Sequence, residues 1–503
     1  MQMILDALDE MAGIFSEKKA FVDDKRCINF LDLKQEIYRV ASILIAKGYQ
    51  RRPIAVFMDK SIECIASFMG SACSGNFYTP VDVKMPNARI EKIMQTLCPA
   101  AIITDSYHKA RVSEFATCGE ILVYDEMMDE EADFEAVVKV SQSIIDTDTL
   151  YVIFTSGSTG SPKGVMISHR AMTDYVGWTA KQFKIDEKSI LGNQSPLYFD
   201  LSIQDIYAPF LTGCTVVLIP EQKFLRPKQL FRELLENKVN TIFWVPSALC
   251  LLADFKVLQM KDLPHFQKIL FCGEILPVKY LNQWRHAFPD AQFVNLYGPT
   301  EACDACAYYV VDREFSMDET LPIGKARKNV NIFLLDEQDR LIEDVHVMGE
   351  ICIRGTALSN GYYRAPEKTK SSFVQNPLND YFREIVYRTG DLGEYNDLGE
   401  LMYISRKDWQ IKHMGHRIEL GEIESAAMSL DGIQQAACIY DSSKKRIILA
   451  YSGANQDKEV IIKLKELVPT YMLPEVIRKF DQLPQNRNGK TDRRELMEMM
   501  GID

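Results

Sequence analysis

Through roughly its first 400 residues the chain alternates short apolar runs with stretches of helical period. Residues 54–58 (Ile-Ala-Val-Phe-Met) read as a buried strand, residues 61–73 as a helix, 77–82 as extended, 89–97 as a helix and 100–104 as a strand. Strands follow at 215–219, 241–245, 269–272 and 292–296, with helices over 227–237 and after Pro277. Strands separated by helices cannot pair as hairpins, so the pattern implies parallel sheets covered on both faces. Repeated β-α units over this length favour two doubly wound subdomains over a single barrel. Near residue 400 the pattern shortens: a strand at 401–404, a helix at 420–430, strands near 437–440 and 446–451, a helix at 458–467 and a tail with Pro and Asn. About a hundred residues suffice for a small α+β domain. The expected fold is therefore α/β, with a large N-terminal domain over 1–407, a small C-terminal domain over 408–503 and the boundary at Asp408.

One segment brings chemistry to that frame. The apolar run Tyr151-Val152-Ile153-Phe154 ends in Thr155-Ser156-Gly157-Ser158-Thr159-Gly160-Ser161-Pro162-Lys163-Gly164. Small residues let backbone come close to a ligand. Hydroxyls, free N–H groups and one cation can together surround a polyphosphate. The spacing is not that of the Walker loop, which needs Gly-x-x-x-x-Gly-Lys-Ser/Thr.

Bulk properties exclude several classes. A net charge of -12 argues against a general nucleic-acid binder. No apolar run approaches twenty residues, so no membrane span is expected, and the N-terminus lacks the basic start and apolar core of a signal peptide. The twelve cysteines are scattered singly through apolar segments, which suits reduced thiols in a cytoplasm. The pair Cys303 and Cys306 lacks the further ligands that a zinc site needs.

Four further segments carry functional groups. Tyr297-Gly298-Pro299-Thr300-Glu301 turns sharply where a strand ends, the place where open α/β sheets bind ligands. Tyr297 can stack on a purine, and Glu301 can hold Mg²⁺, a hard cation that prefers oxygen ligands. Asp391 in Tyr387-Arg388-Thr389-Gly390-Asp391 can accept ribose hydroxyls. Arg406-Lys407-Asp408-Trp409-Gln410-Ile411-Lys412-His413-Met414-Gly415-His416-Arg417-Ile418-Glu419 is the third segment, and Asn488-Gly489-Lys490 the fourth.

With the loop at 155–164, these segments resemble, in order and spacing, the motifs of the adenylate-forming superfamily of acyl-CoA synthetases, luciferases and amino-acid adenylation domains. The resemblance covers nearly the whole chain and fits more loosely around Pro80 to Ile90. It implies two half-reactions: a carboxylate attacks the α-phosphate of ATP to give an acyl-adenylate and pyrophosphate, and a thiol then takes the acyl group and releases AMP. In-line attack of one anion on another needs positioning and charge neutralisation more than covalent help. The resemblance makes Lys490, Lys163, Thr300 and Glu301 the catalytic group, with Mg²⁺ on Glu301. It places the nucleotide against Thr155, Ser156, Gly157, Ser158, Thr159, Gly160, Gly273, Glu274, Asn295, Leu296, Tyr297, Gly298, Pro299, Thr300, Asp391, Tyr403, Arg406 and Lys490. Asp408 falls at the family's hinge, about which rotation would withdraw Lys490 and bring the Gly415 segment to the active site.

Asp200, in Tyr198-Phe199-Asp200-Leu201-Ser202, stands where amino-acid-activating members hold the α-ammonium group; its simpler reading is a helix cap. The wording Phe199-Asp200-Leu201-Ser202, Val245-Pro246-Ser247 and Phe271-Cys272-Gly273-Glu274 is similar to free-standing D-alanine–carrier-protein ligases of teichoic acid D-alanylation, a cell-wall function. Aligned by motif, the substrate pocket comprises Asp200, Leu201, Gln204, Ser247, Leu270, Cys272, Leu296, Asp304, Ala305 and Lys490. Gln204 and Asp304 depart from the apolar residues usual there, and a second buried carboxylate wants a partner such as Gln204 or a polar substrate. The acceptor implied is a phosphopantetheine-bearing carrier protein acting in trans, approached in the rotated conformation by the basic cluster Lys407, Lys412, His413, His416 and Arg417, which reads equally well as hinge and ribose contacts. The alternatives are a stand-alone nonribosomal-peptide-type adenylation enzyme for a more polar amino acid, a CoA ligase for a simple carboxylic acid, and a silent nucleotide-binding regulator.

Overall fold

The computed structural model describes residues 4–115, 118–157, 161–484 and 491–502. Ser158, Thr159, Gly160 and Lys490 of the expected site lie outside the described residues.

The β-α alternation builds two sheets, as the fold reading expects. In the first, strands Glu120–Val123, Ala101–Thr104, Pro53–Phe57, Phe77–Pro80 and Thr149–Thr155 lie side by side and parallel. Lys163–Ser168 closes the edge antiparallel to Thr149–Thr155, with Thr155 opposite Lys163. The apolar run and the lysine therefore stand on two paired antiparallel strands. Gly157 is required there: a Cβ would stand 2.1 Å from the Ser161 carbonyl oxygen. The helix Ile62–Cys73 starts where Ser61 accepts from the Cys64 N–H. It is buried along its whole length because it packs under helix Phe30–Ala46.

The second sheet holds nine strands among the described residues. Its parallel centre is Ile190–Asn193, Thr241–Trp244, Lys268–Cys272 and Gln292–Tyr297. The carboxyl ends of these strands, with that of Thr149–Thr155, deliver Thr155, Val245, Cys272 and Gly298 to one cavity. That is the rim where a parallel sheet binds its ligand. The core between the sheets contains fully buried Trp244, Trp284, Tyr78, Tyr151, Tyr175 and Tyr207. Their polar ends are partnered, for example Tyr78 to Tyr207 at 2.8 Å and Trp244 Nε1 to the Gly192 carbonyl at 2.7 Å.

Residues 330–406 add an element the β-α reading did not contain, an antiparallel sheet of Val330–Leu335, Gly349–Gly355, Phe373–Gln375, Ile385–Tyr395 and Leu401–Arg406 with a short edge strand. Its long strand Ile385–Tyr395 carries Asp391. Beyond it the hairpin Gln410–His413/His416–Glu419 stands as a separate two-stranded unit. Met414 and Gly415 form its two-residue turn, both with φ near the left-handed region, +51° and +80°. Helix Leu420–Met428 and a three-stranded sheet of Ile433–Asp441, Arg446–Gly453 and Val476–Phe480 follow. Helix Arg493–Met499 packs on strand Ile433–Asp441. Among the described residues no helix is long and apolar enough to cross a membrane.

Candidate active site

A cavity of about 170 Å³ lies where the two parallel sheets, the antiparallel sheet and the 410–419 hairpin meet. Thr155, Ser156, Asp200, Leu201, Cys272, Gly273, Gly298, Pro299, Thr300, Asp304, Asp391 and Arg406 line it. Gln204, Ser247, Leu270, Leu296 and Ala305 do not reach the cavity wall in this arrangement. Asn295 turns its side chain to the Pro322 carbonyl.

The sharp turn after strand Gln292–Tyr297 rests on Gly298. A Cβ there would stand 1.8 Å from the Asp304 carbonyl oxygen. Cys303 and Asp304 both adopt positive φ to fold the chain back. This close fold delivers two carboxylates, Glu301 and Asp304, and Asp391 and Asp200 reach the cavity from other elements.

Glu301 is fully buried. Oε1 accepts from Tyr362 at 2.8 Å and pairs with Lys163 at 3.1 Å, while Oε2 accepts from Arg417 at 2.5 Å. Burial alone would raise this carboxyl, but Arg417, Lys163 and the Tyr362 hydroxyl outweigh it and hold Glu301 well below the usual carboxylate range. Burial lowers the Lys163 ammonium, with Glu301 opposing.

Asp391 is held by the Tyr297 hydroxyl at 2.5 Å and by Arg406. Arg406 also forks onto Asp408, at 2.6 and 2.8 Å. The candidate ribose clamp and the candidate hinge residue thus share one guanidinium, and Tyr403 packs beside Tyr297 with ring centroids 6.4 Å apart.

Asp200 begins a short 3-10 turn, Asp200–Ser202, ahead of helix Ile203–Thr212. One oxygen accepts from the Leu201 N–H at 3.0 Å, but the cap positions of the turn and the helix are Phe199 and Ser202, so Asp200 is not the helix cap. Thr300 also donates to this carboxylate. Among the described residues Asp200 forms no ion pair, and burial raises its carboxyl. Asp304 stands in the same cavity, 3% exposed, and accepts from Tyr175 at 2.6 Å. Burial and then the neighbouring Asp200 push its carboxyl well up. The expected partner Gln204 is instead bonded to Thr179. The separation of 129 residues hid Tyr175 from any reading by motif.

The basic cluster expected to face a carrier protein turns inward. His416 stacks on Tyr471 with centroids 3.8 Å apart. Lys412 lies 5.8 Å from the centre of the Tyr297 ring, and His413 is buried beside Glu475 at 3.1 Å. Lys407, the most exposed, pairs with Glu350. The hairpin is fastened to the cavity rim by backbone: the Arg417 carbonyl accepts from Ser156 Oγ at 2.8 Å, the Glu419 N–H donates to that same oxygen at 3.2 Å, and the Gly415 N–H donates to Glu274 at 2.8 Å. The other Glu274 oxygen accepts from the Ser247 N–H. Thr155 Oγ1 is left buried with no partner among the described residues, a group suited to a phosphate oxygen.

Helix Leu420–Met428 is tied down by a buried pair between Arg89 and Glu422, 3% and 5% exposed. Removing one member of a buried pair leaves an uncompensated charge, at a cost of about 3–5 kcal/mol. A rotation about Asp408 would return Arg89 to water, so that cost would fall on the docked arrangement alone. Glu422→Ala is therefore expected to slow acyl transfer to a thiol at least tenfold and to leave adenylate formation near normal. Single-turnover rates of the two steps check this; equal losses in both would contradict it.

Two family descriptions match the chain: "AMP-binding enzyme" over residues 8–363 and "AMP-binding enzyme C-terminal domain" over residues 422–490. A D-alanine--D-alanyl carrier protein ligase of Listeria innocua serovar 6a is 33% identical over 486 residues, 93% of each chain. Tyrocidine synthase 1 of Brevibacillus parabrevis is 29% identical over 97% of this chain, which spans only 44% of that protein's length. Among solved structures, a Vibrio cholerae adenylation domain, AlmE, in complex with glycyl-adenosine-5'-phosphate superposes with a TM-score of 0.86 at 22% identity, covering 99% of this chain and 97% of that one. The motifs in order, the shared cavity of Thr155, Thr300 and Asp391, and these matches over nearly the whole length lead to one conclusion: the chain belongs to the AMP-binding enzyme family and is an adenylate-forming ligase that uses ATP.

Proposed function

We propose that this ligase activates an amino acid as its aminoacyl-adenylate and passes it to the phosphopantetheine thiol of a separate carrier protein, with D-alanine the leading substrate. The observation that carries this is Asp200, a carboxylate on the cavity wall that forms no ion pair among the described residues. A buried carboxylate in need of a cation selects a substrate that brings one, and an α-ammonium group does. Cys272 on the same wall leaves room for a small side chain, and the D-alanine ligase similar over 93% of both chains points the same way.

In the first step a substrate carboxylate oxygen attacks the α-phosphorus and the bond to pyrophosphate breaks. Thr155, Ser156 and Lys163 bind the departing phosphates, Asp391 holds the ribose, and Lys490 bridges the carboxylate and the nucleotide where charge develops. Glu301 would be the protein ligand of Mg²⁺ in an arrangement where Arg417 has left its carboxylate, and the ion would there supply further neutralisation of the phosphate charge. In the second step a thiolate sulfur forms the thioester bond as the bond to AMP breaks. The arrangement described above, with the 410–419 hairpin on the cavity, suits this second step, and a division of the chain at Asp408 fits the separate hairpin that begins two residues later.

A second reading is favoured by Asp304. Among the described residues its one side-chain hydrogen-bond donor is the neutral Tyr175 hydroxyl, so a substrate with a polar or cationic side chain would complete it; such an enzyme would serve a nonribosomal-peptide-type pathway. Loading assays separate the acceptors: thioester is expected on a purified phosphopantetheinylated carrier and not on CoA. Efficient thioester formation on CoA, with none on a carrier, would overturn the carrier assignment.

A further inference from the structure

The turn that carries Asp304 into the cavity wall is held in a costly shape. Cys303 and Asp304 follow one another with φ of +51° and +67°, a region that side chains disfavour. Such residues persist only where their surroundings over-determine them. Buried Arg327 supplies two of the bonds that do so. Its backbone N–H donates to the Cys306 carbonyl at 2.9 Å, and its Nε donates to the Ala305 carbonyl at 3.1 Å. Its Nη1 pairs with Asp174 on helix His169–Gln182. Asp174 in turn accepts from Asn329 at 2.6 Å and from Thr356 at 2.5 Å, residues that flank strands Val330–Leu335 and Gly349–Gly355. The same helix carries Tyr175, the donor to Asp304, and the Arg327 guanidinium lies 5.8 Å from the centre of that ring. One buried side chain therefore joins the strained turn, the helix behind it and the antiparallel sheet.

We propose that Arg327 is a positioning residue for substrate selection: by clamping the Ala305 and Cys306 carbonyls against helix His169–Gln182 it fixes the wall that carries Asp304. The inference rests on the reading above that this wall faces the acyl substrate. Arginine suits the place because its planar fork bonds a carbonyl and a carboxylate in fixed directions at once. A lysine would balance the Asp174 charge, but a point charge on a flexible stem would not hold the turn in one direction. At the ribose end, Tyr297, Asp391 and Arg406 are held by one another. Loosening the clamp should therefore blunt discrimination between substrate side chains and leave ATP affinity in place.

The test reads pyrophosphate release by the full chain. It uses the best substrate from a panel of amino acids and simple carboxylic acids, set beside the homologue one methylene longer. A fitted pocket separates such a pair by about 10–200-fold in specificity constant. Arg327→Met is expected to shrink that ratio by about fivefold or more and to raise KM for the preferred substrate about tenfold, with KM for ATP within about twofold. Arg327→Lys is expected to regain melting temperature lost in Arg327→Met without regaining the selectivity. Asp174→Asn is expected to move both substrate readouts in the same direction by a smaller factor. An unchanged ratio in Arg327→Met would overturn the proposal, as would KM values for ATP and substrate that rise together, or full selectivity in Arg327→Lys. Should Arg327→Met not fold, Asp174→Asn decides by the same readouts, and an unchanged ratio there would overturn the proposal. A best substrate without an amino group would contradict the amino-acid reading and leave this test standing, because the ratio is read on whichever acid the enzyme prefers.

Discussion

Asp200→Ala is expected to lower the specificity constant for the amino acid by a factor on the order of 10²–10³ and to leave ATP binding largely intact. The loss follows from removing the partner of a desolvated ammonium group, at a cost of about 3–5 kcal/mol. The carboxylate stands between the Leu201 N–H and the Thr300 hydroxyl, so the alanine variant also frees both donors. It does not disturb the Tyr297–Asp391–Arg406 chain of bonds at the ribose end. Nucleotide affinity and amino-acid specificity should therefore separate cleanly in steady-state kinetics. Near-normal specificity constants in the variant would remove the α-ammonium role from Asp200.

The second large effect concerns Lys490. Lys490→Ala is expected to cut adenylate formation by about 10²–10³-fold or more, the scale for loss of a group aimed at developing charge. Transfer from a supplied aminoacyl-adenylate to the thiol should be spared. The chain that follows Lys490 is held to the residues beyond Asp408: Arg493 donates to Glu424 on helix Leu420–Met428 at 2.6 Å and lies over the Trp409 ring at 4.6 Å. A lysine carried by that unit serves one step if the unit occupies a different place in each. Single-turnover measurement of the two steps reads the division directly; equal losses in both would end it.

Much of the fold was legible because each segment states its own period. Residues 61–73 read as a helix and form Ile62–Cys73; residues 241–245 read as a strand and form Thr241–Trp244. Apolar residues at the right spacing, an N-cap serine and a following glycine settle such elements locally. The antiparallel sheet over 330–406 was not legible, because its strands pair across turns rather than helices and their partners lie outside any local window. At the site, the motifs named the residues but not their partners. Tyr175 with Asp304, Tyr362 with Glu301 and Arg89 with Glu422 are pairs made by packing, across 129, 61 and 333 positions. Arg417 shows the limit most clearly. Read as one of five basic residues in a row of polar ones, it looked like part of a docking face. In the structure the strand alternation of His416–Glu419 turns it inward onto Glu301.

The central claim is that the cavity accepts an α-amino acid. The most direct measurement is pyrophosphate release with ATP across a panel of D- and L-amino acids, set beside matched acids that lack the amino group, such as propionate and lactate. The account predicts release with small amino acids, D-alanine foremost, and only background with the matched acids. Release with propionate or lactate at rates comparable to the best amino acid would contradict it, as would background alone across every amino acid tested.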